Sequence, residues 1–167
     1  MTHIYCGDGK GKTTAACGLA LRAAGSGMKV LFVQFFKDGS SSEITMLQQA
    51  GIRTMASEKT FRWVTQLSKE EQERARADCL QFFNGVLKEA PAYQMLVLDE
   101  VISACSSRAA DEEALLAFIE AHPEMEIVLT GRGPSEGMLA AGDYITEMKK
   151  VRHPFDQGVY ARKGIEY

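Results

Sequence analysis

The protein has 167 residues, of which 46% are hydrophobic and 25% charged, and its formal net charge is -3. These values are ordinary for a soluble globular protein and predict one domain, residues 1–167, that can bury its own core. Without a block of Lys or Arg, we do not expect nucleic acid as a partner. The apolar runs are too short to span a bilayer, and the first predicted strand leaves no room for a signal peptide. We therefore expect a cytoplasmic protein.

The cysteines and histidines carry no pattern that is typical of a metal site. Cys6, Cys17, Cys79 and Cys105 lack Cys-x-x-Cys spacing, and the three histidines are equally scattered. We therefore predict free thiols in a reducing compartment.

A glycine-rich loop follows the first predicted strand, Ile4-Tyr5-Cys6, and precedes an alanine-rich segment, 12–24, that has helical spacing. The loop reads Gly7-Asp8-Gly9-Lys10-Gly11-Lys12-Thr13-Thr14, and in this context it predicts a phosphate-binding loop. Glycines allow backbone N–H groups to point at phosphate oxygens, and the helix start adds partial positive charge. We expect Lys12 to reach the outer phosphates and the Thr13 hydroxyl to ligate Mg²⁺.

The loop is one residue shorter than the usual pattern. Three residues separate Gly7 from Gly11, where the common phosphate loop has four, and Cys6 stands where its first glycine is expected. A shorter loop cannot wrap a triphosphate in the same way, so we expect the nucleotide to sit differently.

Strands and helices alternate along the rest of the chain. Strands are predicted at 28–35, 52–55, 95–100, 127–130 and 144–148. Helices are predicted at 43–50, 111–121 and 138–141, and a long one runs from the capping box Ser68-Lys69-Glu70-Glu71 to Pro91. The alternation predicts an α/β fold with a parallel or mostly parallel central sheet and helices on both faces. The tail from Arg152 onward is too irregular to assign.

Several charged residues follow predicted strands. Asp99 and Glu100 end an apolar strand, where phosphate-loop proteins keep the acid that holds Mg²⁺; the alternative is a solvated strand end. Arg132 stands between glycines after another strand, where it would either reach a phosphate or lie on the surface. The same two interpretations apply to Lys37.

Phe61 and Trp63 lie in an irregular segment before the long helix. Most such aromatics are core residues, although two together would also suit a flat apolar pocket. No nucleophile is paired with a base in the sequence, so the predicted reaction needs little acid–base help from the protein.

From Ile4 to Tyr167 the chain resembles the phosphate-loop family of ATP:corrinoid adenosyltransferases. Beside the loop, the resemblance is carried by Val33-Gln34-Phe35-Phe36-Lys37, Phe61-Arg62-Trp63-Val64-Thr65-Gln66, Val97-Leu98-Asp99-Glu100, Leu129-Thr130-Gly131-Arg132-Gly133, His153-Pro154-Phe155-Asp156-Gln157-Gly158-Val159 and Gly164-Ile165-Glu166-Tyr167.

The resemblance implies a RecA-like P-loop NTPase fold, a homodimer, and ATP bound in the reverse sense to most relatives of that fold. It also implies transfer of the 5′-deoxyadenosyl group of ATP to the Co(I) of cob(I)alamin or cob(I)yrinic acid a,c-diamide, with release of triphosphate. A flavoprotein or another reductant would supply Co(I). Because Co(I) is the nucleophile and carries no proton, no residue of the chain is assigned as catalytic.

The resemblance also assigns the site residues. It gives Mg²⁺ to Thr13 and Glu100, with Asp99 as a further candidate, and it places Phe61 and Trp63 against the corrin. The ATP-binding residues that it implies are Gly7, Asp8, Gly9, Lys10, Gly11, Lys12, Thr13, Thr14 and Arg132.

The sequence also departs from the family. Members carry an N-terminal arm that helps to cover the corrinoid, whereas three residues precede the first strand here, so we expect a site that is more open or completed by another segment. We assign no roles to 38–42 and 101–108. The alternative function is a nucleoside-kinase-like phosphotransferase, although such kinases commonly hold zinc through Cys-x-x-Cys pairs; a regulatory module that binds nucleotide is a third interpretation.

Overall fold

The computed structural model describes residues 1–57 and 68–166, along which strands alternate with helices. The strands are β1 (Thr2–Cys6), β2 (Val30–Gln34), β3 (Arg53–Ala56), β4 (Met95–Asp99), β5 (Glu126–Thr130) and β6 (Tyr144–Glu147). The helices are α1 (Lys12–Gly25), α2 (Ser42–Gln49), α3 (Lys69–Glu89), α4 (Val101–Ser106), α5 (Glu112–Ala121) and α6 (Glu136–Ala141). Short 3₁₀ turns lie at Ala90–Ala92 and Pro154–Gln157.

The strands form one sheet of six, in the order β3-β2-β4-β5-β1-β6, and every pair is parallel. The prediction of an α/β fold with a mostly parallel sheet is therefore confirmed. Every residue of β2 and β4 is buried, as expected of strands that are covered on both faces. Parallel pairing brings the carboxyl ends of the strands to one edge, where open α/β sheets bind their ligands.

The core has two parts, one on each face of the sheet. On one face Leu31 of β2 belongs to the same cluster as Phe83 of α3, and on the other Phe32 belongs to a cluster with Ala16 and Ala20 of α1. This arrangement confirms the prediction of helices on both faces. The small side chains of α1 let that helix lie close to the sheet, which fixes the start of α1 beside the strand ends.

Local signals account for some element boundaries and not for others. The predicted capping box is present, since the Ser68 hydroxyl accepts from Glu71 N and the Glu71 carboxylate accepts from Ser68 N at 2.8 Å. Helix α4 was not predicted, because it has only six residues and no side chain caps its start. In the part of the chain that the structure describes, no helix is long and apolar enough to cross a bilayer.

Candidate active site

The glycine-rich loop joins β1 to α1 and packs against the backbone that follows β6. Gly9 N donates to Met148 O at 2.6 Å, and Met148 N donates to Cys6 O at 2.8 Å. A Cβ atom on Gly7 or Gly9 would lie 2.5 or 2.6 Å from Met148 O, which is closer than real contacts allow. These glycines are therefore required by a neighbouring backbone, whatever ligand the loop binds. The sequence pattern indicated only the ligand as a reason.

The Lys12 side chain lies inside the loop. It is 8% exposed, and its Nζ donates to Gly7 O and Gly9 O, each at 2.8 Å. Burial lowers the pKa of Lys12 from its usual value, although the Glu100 carboxylate opposes this effect. Its partners are carbonyl oxygens at the mouth of the loop, and phosphate oxygens are acceptors that can replace them.

Asp99, at the end of β4, is fully buried and accepts hydrogen bonds from three side chains. Its Oδ1 accepts from Thr13 Oγ1 at 2.9 Å and from Thr130 Oγ1 at 2.7 Å. Its Oδ2 forms an ion pair with Lys37 Nζ at 2.8 Å. Burial alone would lower the pKa of Lys37, but nearby carboxylates, Asp99 foremost, raise it above its usual value.

Glu100 follows Asp99 but points elsewhere. Its backbone has a left-handed φ of 65°, its N donates to Thr130 Oγ1 at 2.9 Å, and its carboxylate accepts from Ser103 Oγ at 2.8 Å. A cavity of about 170 Å³ is lined by Glu100 together with residues 8–14 of the loop. The two neighbouring acids therefore have different surroundings: Asp99 is buried behind Thr13, whereas Glu100 faces the loop.

Arg132 lines the same cavity as the loop and Glu100. The preceding Gly131 has φ 147°, and a Cβ there would lie 2.7 Å from Ile102 Cβ and 3.0 Å from Ser103 N. The turn after β5 therefore packs tightly against α4, which directs Arg132 to the cavity. Arg132 is also exposed, so both interpretations, a phosphate ligand and a surface arginine, stay open.

The carboxyl-terminal segment closes another side of this cavity, which the irregular sequence of the tail did not predict. Lys150 N donates to Asp8 Oδ1 at 2.9 Å, and this hydrogen bond lowers the pKa of Asp8. His153 and Ile165 also line the cavity. The loop is therefore held between β1, α1 and residues from the end of the chain.

Oxygen atoms at the cavity are suited to a hard divalent cation. Because the Thr13 hydroxyl donates a hydrogen bond to Asp99, the lone pairs of its oxygen remain available for a further partner. Glu100 adds a carboxylate. Among the described residues, no cluster of three or more His, Cys, Asp or Glu side chains forms a metal cage. Mg²⁺ in nucleotide sites uses few protein ligands and completes its shell with phosphates and water, so this donor set fits it.

Some site residues were missed from the sequence. Thr130 binds Asp99 and Glu100, and Ser103 binds Glu100; a polar residue at the end of a buried strand was the available signal for Thr130. Lys37 was considered as a phosphate ligand, but in the structure its partner is Asp99.

Comparison with known proteins places these features in a family. The sequence profile described as "ATP:corrinoid adenosyltransferase BtuR/CobO/CobP" matches residues 1–167. The chain belongs to this family. The corrinoid adenosyltransferase of Pseudomonas aeruginosa is 36% identical over 172 residues, which cover 98% of this chain and 82% of that protein. Corrinoid adenosyltransferase CobA of Salmonella typhimurium is 34% identical over 166 residues, covering 98% and 84%.

A solved structure supports the fold independently of the family. The KaiC-like protein PH0186 of Pyrococcus horikoshii superposes with a TM-score of 0.53, covering 90% of this chain and 73% of its own. At 17% identity this likeness bears on the fold alone, and it agrees with the predicted RecA-like architecture.

Every binding role that the sequence assigned in this adenosyltransferase-family chain remains a prediction, and two of the residues also lie outside the part of the chain that the structure describes. Phe61 and Trp63, which the resemblance places against the corrin, lie outside the described residues. All the other residues that the sequence assigned to ATP or Mg²⁺ belong to the loop or to the ends of β4 and β5.

Proposed function

We propose that this protein transfers the 5′-deoxyadenosyl group of ATP to the Co(I) of a corrinoid, with cob(I)alamin and cob(I)yrinic acid a,c-diamide as candidate substrates. The observation that carries the proposal is the cavity in which Lys12, Thr13, Glu100 and Arg132 meet, in a chain that belongs to the adenosyltransferase family throughout its length. An electron pair of Co(I) forms the bond to the ribose 5′-carbon. The bond from that carbon to oxygen breaks, triphosphate leaves with its electron pair, and the cobalt becomes Co(III).

The residues of the cavity act on the leaving group. Lys12 and Arg132 supply positive charge, and the start of α1 adds the partial positive charge of its free N–H groups. Charge-assisted hydrogen bonds to phosphate are among the strong ones, and they matter most where negative charge develops as the bond breaks. Because the nucleophile carries no proton, the protein has none to remove.

We assign Mg²⁺ to Thr13 and Glu100, which share the cavity with the phosphate loop. When bound, the metal would neutralise part of the triphosphate charge. Asp99 would not contact the metal. It would accept a hydrogen bond from the Thr13 hydroxyl and thereby orient the Thr13 oxygen. This assignment follows from oxygen chemistry and from the hydrogen bonds of these residues.

Of the remaining proposals, the single domain and the cytoplasmic location rest on the composition of the sequence, and the others rest on the family resemblance. The protein would act in the cytoplasm as a single-domain subunit of a homodimer, and a flavoprotein or another reductant would generate Co(I). Phe61 and Trp63 would face the corrin and help to remove its lower axial ligand, so that Co(II) becomes easier to reduce.

The decisive experiment measures which product leaves ATP. The protein is mixed with ATP, Mg²⁺ and chemically reduced cob(I)alamin; polyphosphates are then separated by ion exchange, and the light-sensitive cobalt–carbon bond is followed by absorbance. We expect one triphosphate for each adenosylated corrinoid, and no turnover with Lys12→Ala. Release of ADP with transfer of phosphate would refute the proposal in favour of a phosphotransferase. ATP binding without any product would favour a regulatory module.

A further inference from the structure

Lys37 occupies a specific position at the strand ends. Its ammonium lies 2.8 Å from Asp99 Oδ2, and its side chain keeps 29% exposure while Asp99 has none. The preceding residue, Phe36, has a left-handed φ of 59°, which bulky side chains rarely adopt. Phe36 N donates to Ser57 Oγ at 3.1 Å, which holds this turn. The backbone thus accepts an unfavourable conformation directly before the residue that pairs with Asp99.

The surroundings of Lys37 are rich in carboxylates. Besides Asp99, the charges of Glu43 and Glu100 act on Lys37. Glu43 is fixed by the fully buried Gln34, whose Nε2 donates to Glu43 Oε1 at 3.0 Å. A buried carboxylate at a partly open position, with two further acids whose charges act there, is an environment that attracts a divalent cation. In this structure the position beside Asp99 is filled by the ammonium of the chain itself.

We propose that the Lys37 ammonium serves as the counter-ion of Asp99. It prevents free Mg²⁺ from binding that carboxylate, so that Asp99 remains available to orient the Thr13 hydroxyl. A buried carboxylate needs a compensating charge, and Lys37 supplies it without competing for the Thr13 oxygen. Mg²⁺ would then enter with ATP and bind on the Glu100 side of the cavity. Lys37 is a positioning residue in this scheme, since it acts through Asp99. The inference deepens the proposed function, but its test needs neither turnover nor corrinoid.

The test compares the parent, Lys37→Met, Asp99→Asn and the variant with both changes, by thermal unfolding without nucleotide, in EDTA and in 10 mM Mg²⁺. In EDTA, Lys37→Met should melt roughly 5–10 °C below the parent, because the buried Asp99 carboxylate keeps its hydrogen bonds from Thr13 and Thr130 but loses its compensating charge. The double variant removes both charges and should regain most of that loss. Mg²⁺ should stabilise Lys37→Met by several degrees, because the cation can now reach Asp99. The parent and the double variant should gain no more than about 1 °C, which is the change expected from less than half a kilocalorie for a chain of this size.

The other outcomes overturn the proposal. They are a Lys37→Met protein that melts like the parent, a double variant that is no more stable than Lys37→Met, and an equal effect of Mg²⁺ on all four proteins. If Lys37→Met does not fold, a folded double variant supports the proposal, and an unfolded one refutes it because packing of the lysine stem then explains the loss.

A second measurement separates positioning from direct contact with ATP. Calorimetric titration with ATP in EDTA should give the same affinity for the parent and Lys37→Met within about threefold, because Lys37 is assigned no phosphate contact. The scheme would be overturned if Lys37→Met bound ATP tenfold or more weakly than the parent, and if the double variant bound it more weakly than Asp99→Asn by a similar factor. Such a result would show that Lys37 binds phosphate.

Discussion

Replacing Gly9 with alanine tests whether close packing between the loop and the segment after β6 shapes the site. A Cβ on Gly9 would lie 2.6 Å from Met148 O and 2.9 Å from Lys149 C. Both atoms belong to the backbone, so no side chain can rotate away to relieve the contact. Gly9 does not have a positive φ. The contact itself, rather than an unsuitable backbone conformation, must therefore carry the effect.

The expected magnitude follows from three terms. Overpacking of this kind costs roughly 1–3 kcal/mol. Displacement of the loop also weakens the hydrogen bond from Gly9 N to Met148 O, which is worth about 0.5–1.5 kcal/mol. The lower entropy of the unfolded alanine chain returns about 0.4–1 kcal/mol. The net loss of roughly 1–3 kcal/mol should lower the Tm by about 2–12 °C for a chain of this size.

Gly18→Ala is the matched control, because Gly18 lies within α1 and a Cβ there would meet nothing within 4 Å beyond the backbone of its own helix. Since alanine favours a helix interior over glycine by roughly 0.5–1 kcal/mol, this variant should melt slightly above the parent. Both variants are compared by circular dichroism melting and by calorimetric titration with ATP. Gly9→Ala should also bind ATP more weakly, because the loop moves. If it melts and binds ATP like Gly18→Ala, the argument from close packing is refuted.

The remaining predictions concern the same cavity and the corrinoid. Lys12→Ala should lower ATP affinity roughly 100-fold in calorimetry, since it removes the charged donor of the loop; parent-like affinity would sink the phosphate assignment. Thr13→Val and Glu100→Gln should each raise the Mg²⁺ concentration for half-maximal activity by roughly tenfold or more, and unchanged titrations would place the metal elsewhere. Trp63→Ala should bind ATP normally and react poorly with Co(II) corrinoid under a mild reductant, yet recover with prepared Co(I); equal losses in both rates would contradict the corrin-facing role. Burial raises the pKa of Cys17 from 9.0 to about 12, so its contribution to stability is complete below pH 9 and falls as the pH rises toward 12. At pH 8 the folded thiol should therefore react with Ellman's reagent at least roughly 100-fold more slowly than the unfolded one, and equal rates would refute this.

The features that the sequence predicted well are those that depend on residues adjacent in the sequence. The phosphate loop was recognisable because strand, glycines and helix follow one another from Ile4 to Ala16, and the sheet was recognisable from buried apolar runs such as Met95–Asp99. The acids at the end of β4 were found for the same reason. Parallel sheets place strand ends at one edge whatever the strand order, so the location of the site followed from the fold class alone.

The features that the sequence did not predict depend on contacts between distant segments. Thr130 binds Asp99 across 31 positions of the chain, and Gly9 meets Met148 because β6 lies beside β1, an order that no local pattern specifies. The left-handed φ of Glu100 had no signal either, since glutamate is not a residue that favours it. This conformation decides which acid of the pair faces the cavity.

The protonation states around the cavity bear on the chemistry that the described residues can perform. Carboxylates raise the pKa of Lys37 above its usual value, so it remains an ammonium at neutral pH, and Cys17 remains a thiol because burial raises its pKa to about 12. Asp99 already accepts three hydrogen bonds from side chains of the protein, and it is fully buried, so no substrate can reach it directly. These three groups therefore offer fixed charges and donors rather than a base at neutral pH. Such a site suits a reaction in which the substrate brings its own electron pair and the protein has only to hold and stabilise the leaving group. A phosphotransferase that must deprotonate an alcohol would need a free carboxylate at the cavity, whereas the two acids that line it, Asp8 and Glu100, accept hydrogen bonds from Lys150 N and from Ser103 Oγ.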